Sequence, residues 1–463
     1  MNKFEKSPSL FSDYYKKIVR ITSHQTSFDW LLPFQKMNTT TSTGSGFFID
    51  DKGHILTCSH CIEDATKVYV EIPSEGHKKY DTVIKGVCPY FDLAIIQILN
   101  YKNELYCEMD DGLTNIEPGY EAYALGYPLG QDNMKITKGI ISGQQYNFYQ
   151  TDTAINPGNS GGPLLYNDKV IGINAAGIDS AIADGIGYAV PISRYYLIKT
   201  LLHSKKPYLI NYPQYFGFEQ NHNTSIEFQQ FYKNKCKGGG IYIQSIYPKS
   251  PASVTKIKKG DILCKINDIQ IDYFGGLSKK WMNENMTLQN LLVTIGINKK
   301  VKITYWNGKK MKEESFKFRK YEPPIRNFYP IFDYIDYENI GGLIVMNLCI
   351  NTILLLDHKN IHLDNYLKEQ NIMKKHIIVT NILKGCYIER INILKQGDII
   401  TKVNDKRVNT VDDFRKYFVK PINNKFIKIE TINNKLCILP ISKLKSDDRE
   451  LQKTYLYTRS KLL

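Results

Sequence analysis

The sequence predicts a mostly β protein built from two kinds of domain, and two observations lead to this fold class. Between Lys17 and about Pro191, short apolar runs alternate with turn residues, and few segments have a helical period, which is typical of barrels or a sandwich. Farther along, the segments that begin at Gly239 and His376 resemble each other. Each reads as strand, turn, short helix, Gly-Asp and a strand that ends in Asn-Asp, so a smaller α+β domain is repeated.

Six runs of the first region read as strands, and turn residues separate them. These are residues 17–22, 46–49, 68–72, 93–98, 135–142 and 169–175. The segment 25–41, between the first two strands, is expected to be a surface loop. Residues 193–204 are expected to form a connecting helix that ends in basic residues. A chain of 463 residues is long enough for about three domains, each with its own core.

Composition indicates a folded, soluble protein. Apolar residues make up 42% of the chain and charged residues 23%, and we find no run of the roughly 18 uncharged apolar residues that a membrane span needs. The first twenty residues contain no apolar core of signal-peptide length, and the nine cysteines are scattered rather than arranged as a disulfide framework. We therefore expect a reducing compartment and a cytoplasmic protein, or a virion protein if the source is a large DNA virus.

The charge of +15 and the pI near 9.1 come from lysines spread along the whole chain. This dispersion favours a solvated basic surface, and attraction to nucleic acid or to an acidic partner is the second interpretation. Because no helix-turn-helix, zinc-finger or RNA-binding signature accompanies the charge, a nucleic-acid partner is not expected, nor is a membrane partner.

The strongest local signal for chemistry is TDTAINPGNSGGPL, residues 151–164. A serine hydroxyl becomes a useful nucleophile only when a base takes its proton, and the oxyanion that it forms needs preorganised donors. In Gly158-Asn159-Ser160, the glycine lets the chain turn so that the N–H groups of Gly158 and Ser160 can converge on one oxygen. Gly161 and Gly162 would keep side chains away from the scissile bond. Ser160 is the predicted nucleophile.

The base is expected to be His60, which directly follows an apolar strand in HILTCSHCIED. Its orienting carboxylate is predicted to be Asp92, at the entry of the apolar strand in PYFDLAIIQI, with Asp64 and Asp81 as competitors. The order His, Asp, Ser suits His60 and Asp92 on a first barrel and Ser160 on a second.

Cys58 and Cys61 flank His60 at a CxxC spacing that could suggest a metal site. No second pair follows at a useful distance, so ordinary buried thiols are the favoured interpretation. No metal and no cofactor are expected.

Six segments in series resemble the HtrA/Deg branch of the chymotrypsin superfamily, and most closely the plant-type Deg proteases with two PDZ-like domains. They are STGSGFFI (42–49), LTCSHCI (56–62), DLAII (92–96), ALGYPLG (124–130), the serine motif, and GIGYAVP (185–191). The resemblance covers the whole first domain. It implies a chymotrypsin-like double six-stranded β-barrel protease domain followed by two PDZ-like α+β domains. The implied boundaries are 1–200 for the protease, 205–320 for the first PDZ domain, 321–445 for the second, degenerate one, and 446–463 for a basic tail.

Beyond the protease, Tyr215-Phe216-Gly217-Phe218 resembles the loop with which a PDZ domain binds a peptide C-terminus. Ser250-Pro251-Ala252, together with Gly260-Asp261, resembles the PDZ core of the family. The similarity of the last segment is looser, because Cys386-Tyr387-Ile388 replaces Ser-Pro-Ala there. Peptide binding is therefore expected of the first PDZ domain and not of the second.

In trypsin-like enzymes, an acidic residue stands six places before the nucleophile. In this sequence, Ala154 occupies that position. Small or medium apolar P1 residues are therefore expected. The residues expected to form the substrate pocket are Ala154, Ile173, Asn174, Ala175, Ala176, Gly187 and Tyr188, and those of the oxyanion hole are Gly158, Asn159 and Ser160.

The resemblance implies an ATP-independent serine endopeptidase that cleaves unfolded or exposed protein segments through an acyl-enzyme. It also implies trimers or multiples of trimers, with protein or peptide substrates as partners and loop ordering as the gate of activity. The alternative is a peptide-binding PDZ chaperone or scaffold whose protease domain is idle.

Overall fold

A computed structural model describes most of the chain, and it divides into two compact units. Unit 1 consists of residues Met1–Thr26 and Thr39–Tyr321, and unit 2 of Ser27–Asn38 and Glu322–Leu463. The described residues are 9–35, 39–112, 114–145, 148–177, 185–203, 208–210, 216–221, 225–277, 286–288, 291–292, 295, 298–319 and 321–463. Among these residues, no helix has the length and apolar character that crossing a membrane requires.

The first barrel follows helix α1 (Ser9–Lys17) in unit 1. Its strands are β1 (Ile18–Thr26), β2 (Thr39–Phe48), β3 (His54–Thr57), β4 (Ala65–Glu71), β5 (Lys79–Cys88) and β6 (Leu93–Ile98). The strand order is β5-β4-β1-β2-β3-β6, and the pairing of β5 with β6 closes it. Alternating burial along β1, where Val19, Ile21 and Ser23 are buried, shows how the period-2 pattern fills the interior.

The second barrel is also closed. Its strands are β7 (Glu121–Gly126), β8 (Lys135–Gln145), β9 (Phe148–Thr151), β10 (Pro163–Tyr166), β11 (Lys169–Gly177) and β12 (Gly187–Pro191), in the order β10-β11-β12-β9-β8-β7. Helix α2 (Ile192–Leu202) follows, where the sequence predicted a connecting helix. The predicted mostly β fold with two six-stranded barrels is therefore confirmed.

The rest of unit 1 contains the first repeat and helix α3 (Ile226–Phe231). Its strands are β13 (Tyr208–Leu209), which pairs with β5, and β14 (Phe218–Asn221), β15 (Ile241–Ile246), β16 (Ile262–Ile266), β17 (Ile269–Gln270), β18 (Gly276–Leu277), β19 (Met286–Thr287), β20 (Lys300–Trp306) and β21 (Met311–Lys317). Cys236 and Cys264 form a disulfide with a Cα–Cα distance of 5.2 Å. The sequence predicted no disulfide framework and did not indicate this single pair, because folding brings together two cysteines that lie 28 residues apart in the sequence.

Unit 2 holds the second repeat. Its strands are β22 (Tyr337–Ile340), β23 (Leu343–Asn347), β24 (Ile377–Ile382), β25 (Ile399–Val403), β26 (Lys406–Arg407), β27 (Phe426–Thr431) and β28 (Leu436–Pro440). Its helices are α4 (Ile350–Asp357), α5 (Glu369–Ile372), α6 (Tyr387–Ile391), α7 (Val411–Phe418) and α8 (Ile441–Tyr455). The main sheet has the order β22-β23-β24-β25-β27-β28.

The two repeats share their local hydrogen bonds as well as their sequence pattern. The N–H of Gly260 donates to the carbonyl of Ile243 at 2.9 Å, and the N–H of Gly397 donates to that of Val379 at the same distance. The Asp261 carboxylate accepts from the Lys258 N–H at 2.8 Å, as the Asp398 carboxylate does from Lys395. The Gly-Asp pair of each repeat therefore forms the same turn.

The segment after β1 departs from the sequence expectation of a surface loop. Residues 27–35 belong to unit 2, where Leu31 is buried in a core with Ile325, Met346 and Leu348. Leu32 and Phe34 pack against the second core of that unit, and the Phe34 ring lies 5.2 Å from the ring of Tyr457. The apolar composition of FDWLLPF accounts for this, because five large apolar side chains lose contact with water there.

Replacing Leu31 with alanine should therefore destabilise unit 2. Loss of a buried leucine side chain costs about 2–4 kcal/mol of unfolding free energy. Urea unfolding followed by limited proteolysis within 322–463 measures the change. Leu354→Ala on α4 is the matched control, since that side chain is 51% exposed. Equal stability of the two variants would contradict the packing role of Leu31.

Candidate active site

His60 lies on a 3₁₀ turn formed by Ser59–Cys61, directly after β3. Cys58, Cys61 and Ile62 are buried, and they anchor the turn in the barrel while the imidazole stays 45% exposed. Apolar residues on both sides of one polar residue therefore hold the ring at the surface of the barrel.

Asp92 is presented in the same manner, between the buried Phe91 and Leu93 at the start of β6. Its backbone is left-handed, with φ of 52°, a conformation that aspartate tolerates better than most residues. Its Oδ2 lies 2.8 Å from Nδ1 of His60, and its Oδ1 accepts from the His60 backbone N–H at 3.0 Å. The competitor Asp81 instead pairs with Lys67.

The Asp92 carboxylate controls the charge of the ring. Burial alone would lower the pKa of the His60 imidazole, but the hydrogen bond and charge of Asp92, with a contribution from Cys61, raise that pKa above its ordinary value. The ring therefore keeps its second proton to higher pH than a free histidine. A reaction that needs neutral His60 is favoured by alkaline pH.

The Ser160 turn runs from the second barrel against the first. A Cβ on Gly161 would overlap the carbonyl oxygen of Ser45 and the Thr57 hydroxyl, and one on Gly162 would overlap the Leu125 carbonyl oxygen. The sequence interpretation, that these glycines clear the scissile bond, is thus refined. They are needed because the turn lies directly against the backbone of β2 and β7.

The N–H groups of Gly158 and Ser160 have no acceptor within the described part of the chain. In a trans peptide the N–H points away from the carbonyl of the same unit. The Pro157 carbonyl accepts from Leu129 N–H at 2.7 Å and the Asn159 carbonyl from Gly162 N–H at 3.0 Å, so both donors are directed away from those partners. They are available to an oxygen of a ligand.

The Ser160 hydroxyl donates to the carbonyl oxygen of Ala175 at 2.7 Å. A hydroxyl has a single hydrogen, so in this arrangement it cannot also donate to His60. The structure thus brings His60 and Asp92 into contact and leaves the serine hydroxyl turned toward β11. Nucleophilic attack requires rotation of the Ser160 side chain.

Two family models match the chain, a trypsin-like peptidase domain over residues 44–173 and a PDZ domain over residues 360–426. HhoA of Synechocystis sp., whose name describes a serine protease, is 32% identical over 284 residues, which is 57% of this chain and 67% of that protein. This chain belongs to the HtrA/Deg family of serine proteases. The periplasmic serine endoprotease DegP of Escherichia coli is 33% identical over 249 residues, half of each chain.

The plant relative Protease Do-like 2, chloroplastic, of Arabidopsis thaliana is 29% identical over 287 residues, 56% of this chain and 44% of that protein. Among solved structures, the HtrA-type protease AlgW with tripeptide covers 68% of this chain and 99% of its own, with a TM-score of 0.52 and 21% identity. That likeness is one of fold. The PDZ model matches the second repeat, whose resemblance to PDZ domains was looser by sequence motif.

All but one of the residues expected to line a substrate pocket lie on paired strands of this HtrA/Deg protease, and Ala154 lies in the loop after β9. Ile173 pairs with Val190, Asn174 with Ala189, Ala176 with Tyr188 and Gly177 with Gly187 across β11 and β12. Ala175 is buried and Ala154 is exposed.

Ile155 was not among the pocket residues predicted from the sequence. It is buried in the core of the second barrel, and a Cβ on Gly187 would lie 2.9 Å from its terminal methyl group, so the two residues face each other. The contact joins residues far apart in the sequence, and no local pattern predicted it.

The predicted peptide-binding loop is only partly described, because Tyr215 lies outside the described residues. Phe216 and Phe218 are buried in the core of the first repeat, and Gly217 has φ of +92°. The Ser250 hydroxyl donates to the Gly217 carbonyl at 3.1 Å. The aromatic residues of this loop therefore support its backbone from the core side.

In the second repeat, the corresponding glycines Gly341 and Gly342 are covered by helix α8. A Cβ on Gly341 would lie 2.9 Å from Leu444, and one on Gly342 would lie 2.9 Å from both Cys386 and Leu451. This face of the loop is occupied by the unit's own helix.

The Cys58 sulfur, a ring nitrogen of His60 and a carboxylate oxygen of Asp92 lie within 4.8 Å of one another. Zinc accepts a donor set of this kind. The nitrogen and the oxygen are already hydrogen-bonded to each other. Burial and the Asp92 charge raise the pKa of the Cys58 thiol well above its usual value, so a thiolate is costly there. These residues fit a histidine with its orienting carboxylate better than they fit a metal.

Asp92→Asn should lower the rate at which a fluorophosphonate labels Ser160 by about 10⁴-fold, because the orientation and tautomer of His60 depend on the carboxylate. Asp92 raises the His60 pKa, so the acid limb of the pH profile should move to lower pH in the variant. Labelling rates between about pH 5 and 10 measure both effects. Asp81→Asn is the control, and an unchanged acid limb in Asp92→Asn would contradict the contact.

Proposed function

We propose that this HtrA-type serine endopeptidase hydrolyses peptide bonds in unfolded or exposed protein segments, without ATP, through an acyl-enzyme on Ser160. The observation that carries the proposal is the contact of His60 Nδ1 with Asp92 at 2.8 Å on one barrel, beside a serine turn on the other whose Gly158 and Ser160 N–H groups have no acceptor among the described residues. Membership of the HtrA/Deg family supports the same reaction class.

In the proposed mechanism, the Ser160 hydroxyl first leaves the Ala175 carbonyl and turns toward Nε2 of His60. His60 takes the hydroxyl proton as Oγ attacks the scissile carbonyl, and Asp92 stabilises the imidazolium that forms. The N–H groups of Gly158 and Ser160 donate to the oxyanion. His60 then protonates the leaving amine, and water hydrolyses the acyl-enzyme by the same route in reverse.

For specificity, we propose a P1 site that takes small or medium apolar side chains. Ala154 contributes no carboxylate at the position where a basic P1 residue would need one, and Ile155 faces Gly187 across the site. Apolar walls of this kind discriminate between side chains by volume, at about 1–3 kcal/mol per methylene.

Protein or peptide substrates are the proposed partners, and the PDZ domain is consistent with peptide binding. Trimers or multiples of trimers are proposed from the family resemblance. Cytoplasmic localisation stays a prediction. The Cys236–Cys264 disulfide weighs against the reducing compartment on which that prediction rests.

Ser160→Ala should abolish hydrolysis of casein, because it removes the proposed nucleophile, and should leave the fold intact. Peptide-bond cleavage and circular dichroism measure the two effects. Fluorophosphonate labelling of the unmodified chain separates the enzyme from an idle, peptide-binding protease domain. Casein cleavage by Ser160→Ala, or peptide affinity without labelling of the unmodified chain, would contradict the proposed function.

Ile155→Ala should shift the P1 preference toward larger apolar residues, because three carbons leave the wall opposite Gly187. We expect the ratio of kcat/KM for leucine over alanine at P1 to rise about 10-fold or more. A series of peptide substrates that differ only at P1 measures this ratio. The side chain of Ile140 is 40% exposed on β8, and Ile140→Ala is the control. An unchanged ratio in Ile155→Ala would remove Ile155 from the proposed pocket.

A further inference from the structure

Ser45 of β2 makes four hydrogen bonds, and two of them reach the Ser160 turn. Its hydroxyl donates to the Gly158 carbonyl at 2.7 Å, and its backbone N–H donates to the Ser160 carbonyl at 2.8 Å. The hydroxyl oxygen also accepts from Tyr127 N–H at 2.9 Å, and the Ser45 carbonyl accepts from the Thr57 hydroxyl at 2.7 Å. The residue is fully buried.

The direction of the Ser45 hydroxyl is determined by these partners. Because Oγ accepts from the Tyr127 N–H, its own hydrogen is free to point at the Gly158 carbonyl. The space is tight, since a Cβ on Gly126 would lie 2.8 Å from this Oγ and 2.9 Å from Oδ1 of Asn159.

The carbonyl held by Ser45 belongs to the peptide unit between the two proposed oxyanion donors. The unit before it is held through Pro157 by Leu129, and the unit after it through Asn159 by Gly162. The N–H of the middle unit, on Asn159, donates to the Asn156 carbonyl at 2.9 Å, so Ser45 holds the carbonyl end of a unit whose N–H end is held within the turn. Gly158 has φ of +98° and no Cβ, so its own dihedral angles resist rotation of the middle unit weakly. Neighbouring units share α-carbons, so a tilt of the middle unit changes the direction of both donor N–H groups.

We propose that Ser45 is a positioning residue for the oxyanion hole, whose hydroxyl holds the Gly158–Asn159 peptide so that the N–H groups of Gly158 and Ser160 face the reacting carbonyl. This inference rests on the proposed function. Ser45 lies on the first barrel, whereas the N–H groups of Gly158 and Ser160 lie on the second. The alignment of the donors therefore depends on how β2 packs against the turn.

Ser45→Ala tests the proposal in the full-length chain. We expect kcat to fall about 10- to 100-fold with KM nearly unchanged, because aligned donors act on the transition state rather than on the bound substrate. The affinity of a peptide boronic acid, which forms a tetrahedral adduct, should fall by the same factor. The affinity of a non-cleaved peptide for the Ser160→Ala chain should be the same with and without Ser45→Ala.

Two controls separate alignment from general damage. Thr57→Val removes a buried hydrogen bond from the same residue but leaves the Gly158 contact in place, so it should lower thermal stability with little change in kcat. Ser42→Ala, on the same strand and half-buried, should change neither. Gly126→Ala, which pushes on Oγ of Ser45, should reproduce the kinetic defect of Ser45→Ala.

The outcomes are distinguishable from those of the proposed function. Equal kcat and equal boronate affinity in Ser45→Ala and the unmodified chain would overturn the positioning role while leaving the endopeptidase intact. A rise in KM with unchanged kcat, or an equal kinetic defect in Thr57→Val, would also overturn it. The proposed function itself fails only on casein cleavage by Ser160→Ala, or on peptide affinity without fluorophosphonate labelling of the unmodified chain.

Discussion

The turn that carries Ser160 lies so close to the backbone of the neighbouring strands that neither Gly161 nor Gly162 can carry a side chain. This close approach places the second barrel against β2 of the first, and the hydrogen bond from Ser45 N–H to the Ser160 carbonyl spans the junction. The distance between His60, on one barrel, and Ser160, on the other, depends on the same junction. Packing of the two barrels is therefore part of the catalytic geometry.

His60 and Asp92, the candidate catalytic residues of the first barrel, are positioned in the same way. His60 and Asp92 each lie between buried residues at the end or the beginning of a strand, so the apolar core determines where the polar side chain emerges. The buried neighbours hold the backbone of each residue in place, and the short turns leave its polar side chain accessible. This arrangement explains how a side chain that is 45% exposed can keep a 2.8 Å contact to its carboxylate.

Much of this could be predicted from the sequence. Short strands separated by turns predicted barrels or a sandwich, and the family resemblance implied two six-stranded barrels. The self-similar segments at Gly239 and His376 predicted the repeat. The order of His60, Asp92 and the GNSGGP motif predicted the candidate catalytic residues, and the structure brings two of them, His60 and Asp92, into contact. The Asp92 assignment, chosen over Asp64 and Asp81, depended on the strand that follows it.

What the sequence did not indicate depends on contacts between distant residues. The packing of Leu31 in unit 2 and the pairing of Cys236 with Cys264 join parts of the chain that no local pattern connects. The Ser45 hydroxyl is another case, since serine in a β-strand has many ordinary roles. The direction of the Ser160 hydroxyl toward Ala175 is a side-chain rotamer, which a sequence motif does not specify.

The most direct test of the account is a crystal structure of the protein with a peptidyl phosphonate. The account predicts a covalent bond from Ser160 Oγ to phosphorus, with a phosphoryl oxygen about 2.7–3.1 Å from the N–H groups of Gly158 and Ser160. Oγ should then have left the Ala175 carbonyl, and His60 should retain its contact with Asp92. An adduct on another residue, or a Ser160 adduct with His60 turned away from Asp92, would contradict the account.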